Sequence, residues 1–268
     1  MERKEWTAGR GTVAYWTTEG PTPDRPALVF LPGLSAEHHL FDRQLPHFEK
    51  NWRCLTWDAP GHGESRPYAP DFTLEEIAAA LHAILELENA ERPVLIGQSF
   101  GGYIGQMYME LYPGGLSGFV SIDSAPLQAD YYTDFDLWFF RHMEPMYRMY
   151  PNLVPSVVRQ CAETEQGRSN MRSALSLYSK AELCRLSGRG YLCLYEAIRE
   201  NRPYEIDCPA LLLCGEKDRA GYTKRFNRRW SNRAGIPLAM VPAAGHNSNM
   251  DRSAFVNRQI DDFLSTLF

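Results

Sequence analysis

Ser99, Asp218 and His246 are the residues whose types and settings could do covalent chemistry together. Ser99 is the centre of Gly97-Gln98-Ser99-Phe100-Gly101, Asp218 closes Cys214-Gly215-Glu216-Lys217-Asp218, and His246 follows Ala244-Gly245. A serine hydroxyl is a weak nucleophile near neutral pH. It needs a base to take its proton, and the base needs an acid to orient it. The reaction such a set supports is nucleophilic acyl transfer. The oxyanion formed on the way needs two N–H donors. The amide of Phe100, next to the serine, is one candidate, and that of Leu34, in Leu31-Pro32-Gly33-Leu34, is the other. Each residue also has a plainer role: a serine in a Gly-rich turn, a helix-capping aspartate, a surface-loop histidine. Two carboxylates rival Asp218 as the acid. Asp123, in Ser121-Ile122-Asp123-Ser124, also follows a strand, and Glu216 sits two residues nearer its own strand end.

The elements around these residues must bring them together. Residues 5–17 read as a hairpin turning at Gly9-Arg10-Gly11, and residues 18–26, with Gly20, Pro21, Pro23 and Pro26, as a loop. Ala27-Leu28-Val29-Phe30-Leu31 is a continuous apolar run, the pattern of a strand covered on both faces. A short helix is expected over residues 41–50, interrupted by Pro46, and a strand over 52–57. Thr73-Leu74-Glu75-Glu76 is a capping box opening a helix to about Ala90. Pro93-Val94-Leu95-Ile96 then leads through the Ser99 turn into a helical stretch ending at Tyr112. Strand, tight turn and helix are the setting a G-x-S-x-G nucleophile elbow requires. Gly101, Gly102 and Gly105 give that helix a smooth face toward the sheet. A strand follows at 118–123. The alternation resumes with a strand at 209–215, a helix at 223–234, a strand at 238–242 and a helix at 253–268. Serine, aspartate and histidine in that chain order, each after a strand, is the order of this architecture.

The fold class expected is α/β, with a mostly parallel, doubly wound sheet. Residues 127–205 break the pattern. They hold no strand-like run and are rich in Tyr, Trp, Phe, Met and Arg. They read as an inserted helical cap between two parts of a core domain, residues 1–126 and 206–268. Trp138 and Phe139, within Leu137-Trp138-Phe139-Phe140, are the candidate substrate-contacting residues of this cap.

Composition narrows the function classes. A net charge of −5 without a basic block argues against nucleic acid or an anionic membrane as partner. The start, Met1-Glu2-Arg3-Lys4-Glu5-Trp6, has no apolar core of a leader, and no apolar run approaches the ~18 residues of a membrane span. Six cysteines without C-x-x-C spacing read as reduced thiols of a cytoplasmic protein. The histidines, His38-His39 and His142 included, show no metal-ligand spacing, so neither a metal nor another cofactor is expected. The partner expected is a small-molecule substrate.

Four motifs together resemble the α/β-hydrolase fold superfamily, in its capped serine esterase-like branch. They are Leu31-Pro32-Gly33-Leu34, Asp58-Ala59-Pro60-Gly61-His62-Gly63-Glu64-Ser65, Gly97-Gln98-Ser99-Phe100-Gly101-Gly102, and the pair Gly215-Glu216-Lys217-Asp218 and Gly245-His246. The resemblance implies a triad of Ser99, Asp218 and His246, and it favours Asp218 over Asp123 because most relatives carry the acid after the late strand. It implies that His62 shapes the site rather than reacting. Serine at the elbow separates the chain from dehalogenase and epoxide-hydrolase relatives, which carry aspartate there. Two positions depart from the pattern: Pro32 stands where relatives often have histidine, and Arg219 where they often have proline. The activity implied is hydrolysis of a small or medium acyl substrate, a carboxylic ester first. Thioester, amide or peptide, C–C bond and perhydrolase chemistry use the same triad, and a non-catalytic ligand-binding or signalling member is the alternative of another class.

Overall fold

Leu28-Val29-Phe30-Leu31, Cys54-Leu55-Thr56-Trp57 and Val94-Leu95-Ile96-Gly97-Gln98 are buried at every position. Strands of this kind need cover on both faces, and the computed structural model, which describes residues 1–21 and 25–268, supplies it. The chain opens with a hairpin, β1 (Glu2–Ala8) and β2 (Gly11–Thr17), then β3 (Leu28–Leu31), helix α1 (Leu45–Phe48) and β4 (Cys54–Trp57). Next come α2 (Leu74–Leu87), β5 (Val94–Gln98), α3 (Phe100–Leu111) and β6 (Gly118–Ile122). Five helices follow without an intervening strand: α4 (Asp134–Arg141), α5 (Met143–Met149), α6 (Leu153–Cys161), α7 (Glu165–Ser176) and α8 (Lys180–Glu200). The chain ends with β7 (Ala210–Gly215), α9 (Thr223–Ala234), β8 (Leu238–Val241), α10 (Ser248–Asp251) and α11 (Ser253–Ser265).

The eight strands form one sheet in the order β1-β2-β4-β3-β5-β6-β7-β8. The first two pairings are antiparallel and the rest parallel. Side chains alternate across the sheet. Leu28, Phe30, Val94, Ile96, Val120 and Ile122 join α1 and α11 in one core. Val29, Leu31, Leu55, Trp57 and Leu95 join α2, α3 and α9 in the other, which continues into the α4–α8 segment through Leu137, Leu153, Leu183 and Leu194. The strand order reverses at β3, which pairs with β4 on one side and β5 on the other. In open α/β sheets the crevice at such a reversal, at the carboxyl ends of the strands, receives ligands.

Several boundaries differ from expectation. The hairpin begins at Glu2 and turns at Gly9-Arg10, because alternating polar residues are tolerated on a sheet-edge strand. The helix expected over 41–50 shrinks to α1, and Pro46 lies at its start, where a missing N–H costs nothing. The short α10, directly after His246, had no sequence signal. Of the loop expected at 18–26, residues 22–24 lie outside the described residues. No helix among the described residues is long and apolar enough to cross a membrane.

Candidate active site

The turn after β5 is built by close backbone approach. A Cβ on Gly97 would collide with the backbone of Gly101 and Gly102, and one on Gly101 with the Leu31 carbonyl. Glycine at these positions lets α3 start against the sheet, and Ser99 is forced to φ 50°, ψ −114°. That conformation is costly for a residue with a Cβ and persists only where its surroundings hold it. Here the Ser99 amide donates to Ile122 O at 2.8 Å and the Gly102 amide to Ser99 O at 2.9 Å.

Ser99 Oγ lies 2.9 Å from His246 Nε2, and His246 Nδ1 lies 2.9 Å from Asp218 Oδ2. The turns after β5, β7 and β8 therefore deliver the three side chains to one point. The Asp218 carboxylate also accepts the Ala220 amide on Oδ1 at 2.7 Å. The Gln98 side chain donates to His246 O at 2.7 Å, pinning the histidine turn to the end of β5. Of the three sequence candidates for the acid, Asp218 is the one bonded to the imidazole. Asp123 accepts the Gly215 amide at 2.7 Å and the Ser248 amide at 3.0 Å, so it braces both neighbouring turns. Glu216 is exposed and accepts the Ala243 amide at 2.9 Å.

Charge follows from this geometry. Burial alone would pull the His246 imidazolium down. The charge and hydrogen bond of Asp218, with the charge of Asp123 behind, outweigh it and raise His246 to about 9. Burial, then the nearby Asp218 charge, pushes the Asp123 carboxyl up. Cys161, on the cavity wall, is pushed up to about 12 by burial first and by the two carboxylates second, and so stays a neutral thiol. His62 is held low by burial, with Nδ1 against Pro60 O at 3.1 Å, beside the ring of Phe100 and away from the Ser99–His246 contact.

Two amides lie close to the serine. Phe100 is the first residue of α3, where an N–H has no intrahelical acceptor and the helix dipole favours negative charge. Leu34 lies in the loop after β3, which approaches so closely that a Cβ on Gly33 would strike Gln98 and lie 3.2 Å from Ser99 Cβ. Among the described residues neither amide has a protein acceptor. Ser35, at φ 62°, shares a buried hydrogen bond of 3.1 Å with Ser187 of α8, and the Leu34 side chain rests on α8 at Gly190, where a Cβ would overlap it. Sequence reasoning missed this role of α8.

Over the serine lies a cavity of about 620 Å³ between the sheet edge and helices α4–α8. Phe139 lines it. Trp138 does not: it is 51% exposed and stacks on Phe135 and His142 at the surface. Phe140, on the other side of Phe139, lines it instead, so the inward face of α4 runs from Phe139 toward Phe140 and leaves Trp138 outside. Phe135, Met143 and Tyr147 line the cavity with Phe139, and their four-residue spacing was the signal available in the sequence. Two groups, Glu37-His38-His39 and Asp123-Cys214-Asp218, bring ligand-type atoms within 4.8 Å of one another. Their carboxylates and the imidazoles of His38 and His39 already serve protein contacts: His38 Nδ1 sits 2.9 Å from Asp58, His39 Nδ1 3.0 Å from Asp42, and Glu37 accepts the His39 amide.

A family model described as alpha/beta hydrolase fold matches residues 26–253. Among curated proteins, the 2-succinyl-6-hydroxy-2,4-cyclohexadiene-1-carboxylate synthase of Serratia proteamaculans (strain 568) is similar at 27% identity over 253 residues, 90% of this chain and 94% of that protein. A serine hydrolase-like protein of Danio rerio is 31% identical over 121 residues, a local match covering 44% of this chain and 35% of that one. Among solved structures, a hydrolase from Pseudomonas aeruginosa PA01 is similar with a TM-score of 0.78 at 19% identity, over 98% of each chain, a likeness of fold.

Proposed function

The chain belongs to the alpha/beta hydrolase fold family, and from that premise we propose a serine hydrolase that cleaves a small or medium acyl substrate, a carboxylic ester, through an acyl-enzyme. Ser99 Oγ attacks the carbonyl carbon while His246 Nε2 takes its proton. The amides of Leu34 and Phe100 hold the oxyanion. His246 returns the proton to the departing alcohol, leaving the acyl group on Ser99. Water then attacks the acyl-enzyme with the same base and donors, releasing the acid and restoring the serine. Asp218 keeps the imidazole in the tautomer that bares Nε2. Residues 127–205 act as a cap that closes the acyl site from water.

The observation that carries this reading is the pair of 2.9 Å contacts linking Ser99, His246 and Asp218 beneath the cavity. The strain at Ser99 and the two unclaimed amides, beside a serine bonded to His246 Nε2, together favour catalysis over binding alone. The wall supports a neutral, apolar acyl or alcohol part: Phe139, Phe140, Leu153, Val157 and Leu194 line it, and its cation, Arg219, is exposed and lies 3.5 Å from Glu163. Turnover of p-nitrophenyl esters of graded chain length, with labelling by a fluorophosphonate, tests the proposal. Ser99→Ala should lose at least about four decades of kcat with the fold retained, and the label should map to Ser99. A label elsewhere, or unchanged turnover in the variant, overturns it.

A further inference from the structure

Asp251, the last residue of α10, takes no part in the proton relay, yet it is buried and surrounded by donors. Its Oδ2 accepts the Gly245 amide at 2.9 Å and the Glu163 amide at 2.9 Å. Its Oδ1 accepts the Thr164 amide at 2.9 Å and the Thr164 hydroxyl at 2.7 Å. Gly245 precedes His246. Glu163 and Thr164 belong to the segment between α6 and α7, whose neighbours Val157, Gln160 and Cys161 line the cavity. The other flank of the histidine is held by the same segment, because the Asn247 amide donates to Cys161 O at 2.8 Å. We propose that Asp251 is a positioning residue for His246, a carboxylate that fastens the histidine turn to the segment at residues 161–164, which leaves the cavity wall at Cys161. The proposal rests on the reading of His246 as the base.

Four donors converging on two oxygens require a carboxylate. An amide offers one acceptor oxygen, so its NH2 faces either the Gly245 and Glu163 amides or the Thr164 amide, and at least one N–H loses its acceptor. Thr164 also accepts the Gly167 amide at 3.1 Å as the N-cap of α7, so the hydroxyl transmits position between the helix start and the carboxylate. Loss of the bond to Gly245 frees the residue before His246 to move relative to Ser99. A displacement of ~1 Å at a reacting group costs on the order of a hundredfold in rate.

The experiment compares wild type, Asp251→Asn, Thr164→Val and Thr164→Ser. Ester turnover is expressed per site titrated with a fluorophosphonate. The His246 Nδ1–H proton is followed by NMR, its resonance assigned by its absence in His246→Gln. Asp251→Asn should lower kcat about ten- to a hundredfold with KM within about threefold of wild type, and should shift the Nδ1–H resonance. A kcat per titrated site within twofold of wild type, with the resonance unmoved, overturns the proposal whatever happens to thermal stability. If Asp251→Asn fails to fold, the threonine pair decides. Thr164→Val should lose about two- to fivefold in kcat and shift the resonance the same way, while Thr164→Ser keeps both, and equality of the two refutes the linkage. A wild type that neither turns over esters nor reacts with the fluorophosphonate defeats the proposed function instead, and the resonance still reports on Asp251.

Discussion

Replacing Asp218 by asparagine tests the proposed relay at its acid. Asp218 divides its oxygens: Oδ1 accepts the Ala220 amide at 2.7 Å and Oδ2 faces His246 Nδ1 at 2.9 Å. Asparagine has one acceptor oxygen, and the Ala220 amide claims it. The NH2 then points at Nδ1, which must present its lone pair. The proton moves to Nε2, and the imidazole can no longer take one from Ser99. Loss of the productive tautomer typically costs on the order of 10⁴-fold, or about 5 kcal/mol of transition-state stabilisation. We expect kcat to fall by about three to four decades with KM little changed. The pH profile supplies an independent readout. With His246 raised to about 9, wild-type kcat/KM should climb with pH toward an inflection near that value as the base form appears. Without the Asp218 charge the downward pull of burial remains, so the inflection of the residual activity should move to lower pH. Folding raises His246 above its ordinary 6.5, so its share of stability is full below that pH and is lost as pH rises through about 9. The Tm advantage of wild type over Asp218→Asn should narrow across the same window. Asp123→Asn touches the Gly215 and Ser248 amides and makes no hydrogen bond to the imidazole, so it should cost about one to two decades, less than Asp218→Asn. A larger loss for Asp123→Asn than for Asp218→Asn would refute this reasoning and move the acid to Asp123.

The cavity wall and the glycine contacts give two further expectations. Phe139→Ala should change the ranking of ester chain lengths in a p-nitrophenyl series, whereas Trp138→Ala, at a surface stack, should leave that ranking as it is; equal effects would show that Trp138 reaches the substrate. Gly190→Ala meets the Leu34 side chain first, so thermal unfolding should register about 1–3 kcal/mol while kcat falls as the Leu34 amide shifts. Gly101→Ala meets the Leu31 carbonyl, which cannot yield without moving β3, and should cost about 3 kcal/mol or more or prevent folding.

What could be read from the chain depended on how local the signal was. The buried strands announced themselves as unbroken apolar runs, and the Thr73–Glu76 capping box marked the start of α2. The meeting of Ser99, Asp218 and His246 was legible because parallel strands put their exits at one sheet edge, so three strand-following residues in the right order had one place to go. The acid was harder. Asp123 and Asp218 both follow strands, and the choice turns on which carboxylate reaches Nδ1, a matter of side-chain direction that no spacing encodes. Trp138 was misplaced for a similar reason: neighbouring aromatics on a helix look alike until its inward face is known. The Ser35–Ser187 and Asp251–Thr164 bonds join residues far apart in sequence through small polar side chains. Such residues stand in many loops and helices, and their types alone do not reveal a partner.

The helices between β6 and β7 have a consequence for recombining this protein with its relatives. Parallel neighbours need a crossover of some length in any case, and the entropy of closing a loop grows slowly with its size. The sheet would therefore accept a segment borrowed from another chain between residues 123 and 209. Asp251 would not be indifferent. Three of its four donors, the amides of Glu163 and Thr164 and the Thr164 hydroxyl, would leave with the old segment. Gly245 alone would remain to compensate a buried carboxylate, a costly state to fold around. A chimera should therefore carry residues 161–164 across the junction, or change residue 251 in the same step. The graft boundary that keeps the sheet intact and the one that keeps the histidine turn in register are different boundaries.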